Sequence, residues 1–242
     1  MPTTELEVLE ILGRAKQGMQ EPFQCLADDG NLYYVKGRQT DRASLCNEWI
    51  CGHLARALHL PLPPFSLLNV SQELLDEAPS EWKCLGEGLA FGSRQHTGCT
   101  WLDHAQIQHI PINLRIEIFA FDWWIKNIDR SDGNPNLLWN VNQQQLVVID
   151  HNLAFEHTLN PQIFIENHIF RGCYESMDLA TRDMLQDRFC HAMSAVFDIA
   201  CNNIPPSWHW NNPECDVPAN IDLDAIRALL ARCQSPDFWR FA

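Results

Sequence analysis

The sequence predicts an α+β fold in two parts, a small β-rich lobe over residues 1–93 and a larger, mostly helical lobe over residues 94–242. Three observations carry that prediction. Two β-prone runs, residues 23–27 and 32–36, flank Asp28-Asp29-Gly30-Asn31, which reads as an antiparallel hairpin. Past residue 110, apolar residues recur at helical spacing in three stretches, with a single hairpin between the first and the second. The character of the chain changes only once, from strands around one helix to helices around one hairpin.

Taken in order, residues 4–12 place Leu6, Leu9 and Leu12, or Val8, Ile11 and Leu12, at a spacing that fits a short helix or a first strand. Gly13-Arg-Ala-Lys-Gln-Gly18 reads as a polar turn, and Lys36 closes the second strand of the hairpin. A helix is predicted over residues 41–58: Asp41 suits an N-cap, Leu45 and Trp49 recur at helical spacing, and Pro61, Pro63 and Pro64 forbid continuation. Glu48 lies within it. Residues 65–70 form a strand, 71–80 a polar excursion, 88–93 a short strand or crossing segment, and 94–109 an irregular region. The next helix spans residues 111–126, with Ile112, Ile116, Phe119, Ala120 and Trp123 in one stripe and Pro111 at its start. It delivers Asn127. Residues 137–139 and 146–149 make a hairpin that ends at Asp150, and two last helices, 179–201 and 222–233, enclose a Pro- and Trp-rich loop at 204–218.

A chain of 242 residues, 46% hydrophobic, can bury a core of ordinary size. With 31 acidic against 17 basic residues and a net charge of −14, it is not built to neutralise phosphates along a nucleic acid. No run approaches the roughly 20 apolar residues of a membrane span, and residues 1–10 carry acids where a secretory signal carries bases. A cytoplasmic protein with no membrane partner is the expectation. The ten cysteines contain no Cys-x-x-Cys, and His96-x-x-Cys99 lacks a second ligand pair, so they read as reduced thiols rather than a zinc site.

The chemistry gathers around residues 127–150. Phosphoryl transfer needs a carboxylate beside the attacking hydroxyl, oxygen ligands for a divalent cation, a cation on the nucleotide phosphates, and an anion to hold that cation. Asp129 and Asn134 stand five residues apart after a helix, Asp150 ends a hairpin, Lys36 ends a strand, and Glu48 lies on the next helix. Mg²⁺ is hard and prefers such oxygens as those of Asn134 and Asp150. Lys36 suits a phosphate as a point charge, and Gly13 and Gly18 would let backbone amides approach one. Each residue alone has an ordinary reading: Asp129 as a turn or cap residue, Asp150 as a strand end, Lys36 and Glu48 as surface charges. Their order along the chain, with the right elements between them, sets the group apart.

On these residues the sequence resembles the HipA-like kinase family, bacterial members of the protein-kinase-like superfamily. The resemblance rests on Tyr34-Val-Lys36, Asn47-Glu48-Trp49-Ile50 with Leu60-Pro-Leu-Pro63, Phe91-Gly-Ser-Arg94, Asn127-Ile-Asp129-Arg130 with Asn134-Pro-Asn-Leu-Leu-Trp139, Ile149-Asp150-His151 and Ile204-Pro-Pro-Ser-Trp208. It implies a two-lobed protein-kinase-like fold, ATP and Mg²⁺ as cofactors, and a Ser/Thr hydroxyl of a protein as acceptor. By position it implies Asp129 as catalytic aspartate, Asn134 and Asp150 as metal ligands with Asn136 an alternative to Asn134, Lys36 on the nucleotide phosphates and Glu48 as its partner. The segment Leu89–Ser93, with Ala90, Phe91 and Gly92 at its centre, would be an inter-lobe hinge presenting backbone to adenine. An antitoxin-type partner also comes with the resemblance.

Three departures qualify it. Asp150-His151-Asn152 lacks the glycine of D-F-G, so no flipping activation segment is expected. Residues 13–24 contain no Ser or Thr, so the inhibitory autophosphorylation of HipA toxins in this loop is not expected. The strands begin almost at residue 1, which leaves no room for the extra N-terminal subdomain of longer relatives. Two rival functions remain on the sequence: a small-molecule kinase, and a non-catalytic kinase-like binding module.

Overall fold

The computed structural model describes residues 5–15 and 21–240, which fall into two compact units. The first takes in the chain up to Trp49 together with Pro63–His96 and Asn203–Ile221. The second comprises Ile50–Leu62, Thr97–Asn202 and the chain from Asp222 onward.

The first unit holds strands β1 (Glu5–Arg14), β2 (Phe23–Ala27) and β3 (Leu32–Lys36), the start of helix α1 (Arg42–Ala57) as far as Trp49, and then β4 (Phe65–Val70), α2 (Gln72–Glu77) and β5 (Gly88–Arg94). The strands close into a barrel in the order β1-β2-β3-β5-β4, with β1 and β4 parallel. β1 settles the ambiguity of residues 4–12 in favour of a strand. Leu6 and Val8 face in while Glu5 and Glu7 face out, and a register shift after Val8 turns Ile11 inward in place of Glu10. The strand also runs on through Gly13, where a turn was expected; Gly13 sits at φ +145° beside a second register shift and pairs with Gln24. Gly18 lies outside the described residues. The β2–β3 hairpin turns at Gly30, φ +76°, as its Asp-Gly sequence predicts.

Phe23, Cys25, Val35 and Leu68 are fully buried in the barrel interior, and Leu75 of α2 and Leu85 pack onto the same cluster. The polar excursion expected at 71–80 holds α2, capped by Ser71 Oγ accepting from the Leu74 N–H at 3.2 Å. A six-residue helix with one buried side chain leaves little periodic signal. The returning segment 203–221 is anchored by Trp208, whose Nε1 donates to the Leu89 carbonyl at 2.8 Å and whose ring meets Trp49 edge-on at 6.4 Å.

The second unit has a three-stranded sheet, β6 (Cys99–Trp101), β7 (Leu137–Asn140) and β8 (Gln145–Val148), with helices α3 (Ile112–Trp124), α4 (Pro161–Asn167), α5 (Leu179–Asn202) and α6 (Leu223–Ala231). β6 falls in the stretch expected to be irregular, because its three residues are strand only through pairing with β7. The core is aromatic: Trp124 stacks on Phe189 at 4.6 Å and donates to the Leu230 carbonyl at 2.8 Å. Among the described residues no helix is long and apolar enough to cross a membrane.

Candidate active site

In the first unit the end of β3 and the second turn of α1 bring Lys36 and Glu48 together. Lys36 Nζ donates to Glu48 Oε2 at 3.1 Å, and both residues are buried. α1 starts where expected: Asp41 Oδ1 accepts from the Ala43 N–H at 2.9 Å. A buried ion pair adds little net stability over an apolar pair, since desolvation offsets the attraction, so this pair is not accounted for by stability alone. Leu89–Ser93, expected as a hinge segment, lies inside β5. Phe91 and Gly92 are flanked by β3 on one side and β4 on the other, so their backbone groups lie within the barrel's ladders rather than at a free edge. Gly92 also packs so closely that an added Cβ would lie 2.1 Å from Leu68 Cδ1.

In the second unit, α3 ends at Trp124 and the chain turns out of the helix at Lys126, φ +50°. Asn127 is fully buried; its Nδ2 donates to Asp122 Oδ1 at 2.9 Å and its Oδ1 accepts from the Asp129 N–H at 3.2 Å. Asp129 itself is only partly buried. Its Oδ2 accepts two amide hydrogen bonds, from Asn134 Nδ2 and from Asn136 Nδ2, each at 2.9 Å. Asn136 is buried at φ +48°, and Asp150 stands at φ +59° two residues past the end of β8. The Ile149 N–H donates to the Asn136 carbonyl at 3.1 Å, which ties the residue before Asp150 to the Asp129 loop.

Arg130 fastens these pieces. It is 1% exposed, its Nε donates to Asp122 Oδ2 at 2.6 Å, and its Nη1 donates to the carbonyls of Asn136 at 2.6 Å and Ile149 at 3.3 Å. The planar guanidinium thus holds both the loop and the end of β8 against α3. His168 completes the cluster. Its Nδ1 accepts from the Phe170 N–H at 3.0 Å, so Nε2 carries the proton and donates to Asp122 Oδ2 at 3.0 Å. Burial pushes the His168 pKa down against the pull of Asp122, which keeps the ring neutral. Burial alone would push the Asp122 carboxyl up, but the Arg130 charge and the hydrogen bond from His168 hold it below the usual carboxylate range.

Asp122 and His168 were not among the residues singled out from the sequence. An acid inside an apolar helical stripe has the signature of a helix's outer face, and its two partners lie 8 and 46 positions away.

The donor set suits a hard cation. The side-chain amide nitrogens of Asn134 and Asn136 are spent on Asp129, so each has its side-chain carbonyl oxygen left to offer. Among the described residues there is no group of three or more His, Cys, Asp or Glu able to hold a metal by itself. A cation here would draw on amide oxygens and on the phosphates of a nucleotide, the usual manner of Mg²⁺.

Among solved structures, the chain is similar to the Helicobacter pylori proinflammatory kinase CtkA, at 10% identity over 97% of this chain and 95% of that one, with a TM-score of 0.58. That likeness shows a protein-kinase-like mixture of strands and helices. A weaker likeness, TM-score 0.46 at 14% identity over 96% of this chain and 71% of the other, is to the Golgi casein kinase with Mn/ADP bound. No curated protein matches by sequence. The family description "HipA-like kinase" matches residues 8–242, nearly the whole chain, and the chain therefore belongs to the HipA-like kinase family of phosphotransferases.

Proposed function

We propose that this kinase transfers the γ-phosphoryl group of ATP, with Mg²⁺, to a Ser or Thr hydroxyl of a protein. One observation carries the reading: Asp129, partly exposed, has one carboxylate oxygen fixed by two amide donors on a loop that a buried Arg130–Asp122 pair locks in place. With Oδ2 so held, Oδ1 is the oxygen free to take the hydrogen bond of an acceptor hydroxyl and then its proton. Asn134, more accessible than the buried Asn136, and Asp150 would hold Mg²⁺, which supplies charge neutralisation on the phosphates.

Lys36, paired with Glu48, would bind the nucleotide phosphates, which the backbone amides of Gly13 and Gly18 would also approach. An adenine contact from Ala90, Phe91 and Gly92 would need a group at the rim of β5 instead of its paired centre. Family membership supports this assignment of parts, including residues 1–93 as nucleotide lobe and 94–242 as catalytic lobe, a cytoplasmic site of action and an antitoxin-type partner.

The test is Asp129→Ala. Turnover of radiolabelled ATP should fall by roughly 10²- to 10⁴-fold while nucleotide affinity is kept, and full turnover would overturn the assignment. Running the wild type against a lysate and sorting label between macromolecular and soluble products tests the protein acceptor.

A further inference from the structure

We propose that residues 38–42, which join β3 to α1, form a binding site for a phosphate-class oxyanion. Arg42 is only 6% exposed, yet among the described residues no carboxylate pairs with its guanidinium. The charge felt most strongly there is another cation: burial pushes the Arg42 pKa down and Arg38 pushes it further. A buried guanidinium with a second, partly exposed one close enough to repel it is a costly arrangement unless an anion joins them.

The neighbouring polar atoms share the deficit. Thr40 is 4% exposed and its buried Oγ1 has no hydrogen-bond partner. Gln39 spends its Oε1 on the Gly37 N–H at 3.0 Å, while its Nε2 is buried with no partner. Native interiors rarely leave such atoms unmatched, and here two lie beside a buried cation within four residues of chain.

The nearby acids are turned elsewhere. Asp41 caps α1 through the Ala43 and Ser44 N–H groups, and Glu87 offers Arg38 Nε its backbone carbonyl at 3.3 Å. What remains is a donor set of two guanidinium groups, a hydroxyl and an amide. A tetrahedral oxyanion has enough acceptor oxygens for all of them, and paired guanidinium groups favour phosphate over a halide or a single carboxylate.

The site has a place in the fold. Arg38 follows Lys36 by two residues at the end of β3, and Arg42 opens the helix that carries Glu48. An anion joining the two arginines would fasten together the two elements that bear the Lys36–Glu48 pair.

Isothermal titration at low ionic strength tests the site, with inorganic phosphate and O-phosphoserine as probes. Tighter phosphate points to the free ion as the natural occupant, and tighter phosphoserine to a phosphorylated side chain. Wild type and Lys36→Met should both bind, and Arg42→Gln should bind at least tenfold more weakly. Asp129→Ala should bind normally, which separates this site from the kinase reading. Because a buried charge without a counter-ion is removed, Arg42→Gln should melt no lower than wild type in the absence of anion. Where Arg42→Gln does not fold, Thr40→Val serves in its place, with weaker binding expected. Absence of binding by wild type, undiminished binding by the Arg42 or Thr40 variant, or loss of binding only in Lys36→Met would overturn the proposal.

Discussion

Asp122→Asn should be among the most damaging single changes available in the second unit, although Asp122 takes no part in the proposed chemistry. The carboxylate is fully buried and accepts from Arg130, Asn127 and His168 at 2.6, 2.9 and 3.0 Å. The amide keeps the shape but removes the charge, so Arg130 is left as an uncompensated buried cation and one acceptor position becomes a donor. Removing one partner of a buried pair costs about 3–5 kcal/mol, roughly a fifth or more of the stability of a typical domain. At roughly 2–4 °C per kcal/mol for a chain of this size, the melting temperature should fall by about 6–20 °C. Urea unfolding gives the free energy directly, through a lower midpoint at an unchanged slope. Asp129→Asn, at a partly exposed position seven residues further on, should cost under about 1 kcal/mol in the same assay, within the range of ordinary surface changes. A loss below 1 kcal/mol for Asp122→Asn, or a larger loss for Asp129→Asn, would refute the division between a structural acid and a chemical one.

Two further predictions concern charge. Lys36→Met takes away the ammonium that faces the buried Glu48 carboxylate and should destabilise the protein; adding Glu48→Leu should restore much of that stability, while ATP turnover stays at least about 100-fold down in both variants. A double variant that turns over like wild type would remove the pair from the mechanism. Stability should also decline as the pH drops from about 6.5 towards 4. His53 is pushed down to about 4, by burial first and then by Arg56, and His168 is lowered as well, so the unfolded chain takes up protons that the folded one refuses. Both contributions are present above the ordinary histidine pKa and lost below it; that of Asp122, also lowered, is lost only below about pH 4. A denaturation midpoint flat from pH 7 to 5, or a His53→Gln variant with the wild-type slope, would contradict this.

The long periodic elements of this fold are legible in the sequence. α1 begins beside Asp41 and stops before Pro61; α3 begins after Pro111; β7 and β8 flank a polar turn, all within a few residues of expectation. In each case a local rule and the tertiary environment agree. Short elements such as α2, α4 and β6 are not legible, because their existence depends on a cap or on a partner strand distant in sequence. The same contrast holds in the candidate site. The meeting of Lys36 with Glu48 is implied by the kinase resemblance, whereas the hydrogen bonds that Asn134 and Asn136 donate to Asp129 are visible only in the structure. Arg130 is visible as part of a motif, but its reach from Asp122 to the Ile149 carbonyl is a matter of packing that spacing does not encode.

The measurement that bears most directly on the account is single-turnover phosphoryl transfer by wild type and Asp129→Ala, with nucleotide affinity measured on the same samples. The account predicts a fall in rate of roughly 10²- to 10⁴-fold, with affinity changed less than about threefold, because Asp129 acts on the acceptor hydroxyl and not on the nucleotide. Transfer at the wild-type rate, or a loss explained wholly by weaker nucleotide binding, would contradict it.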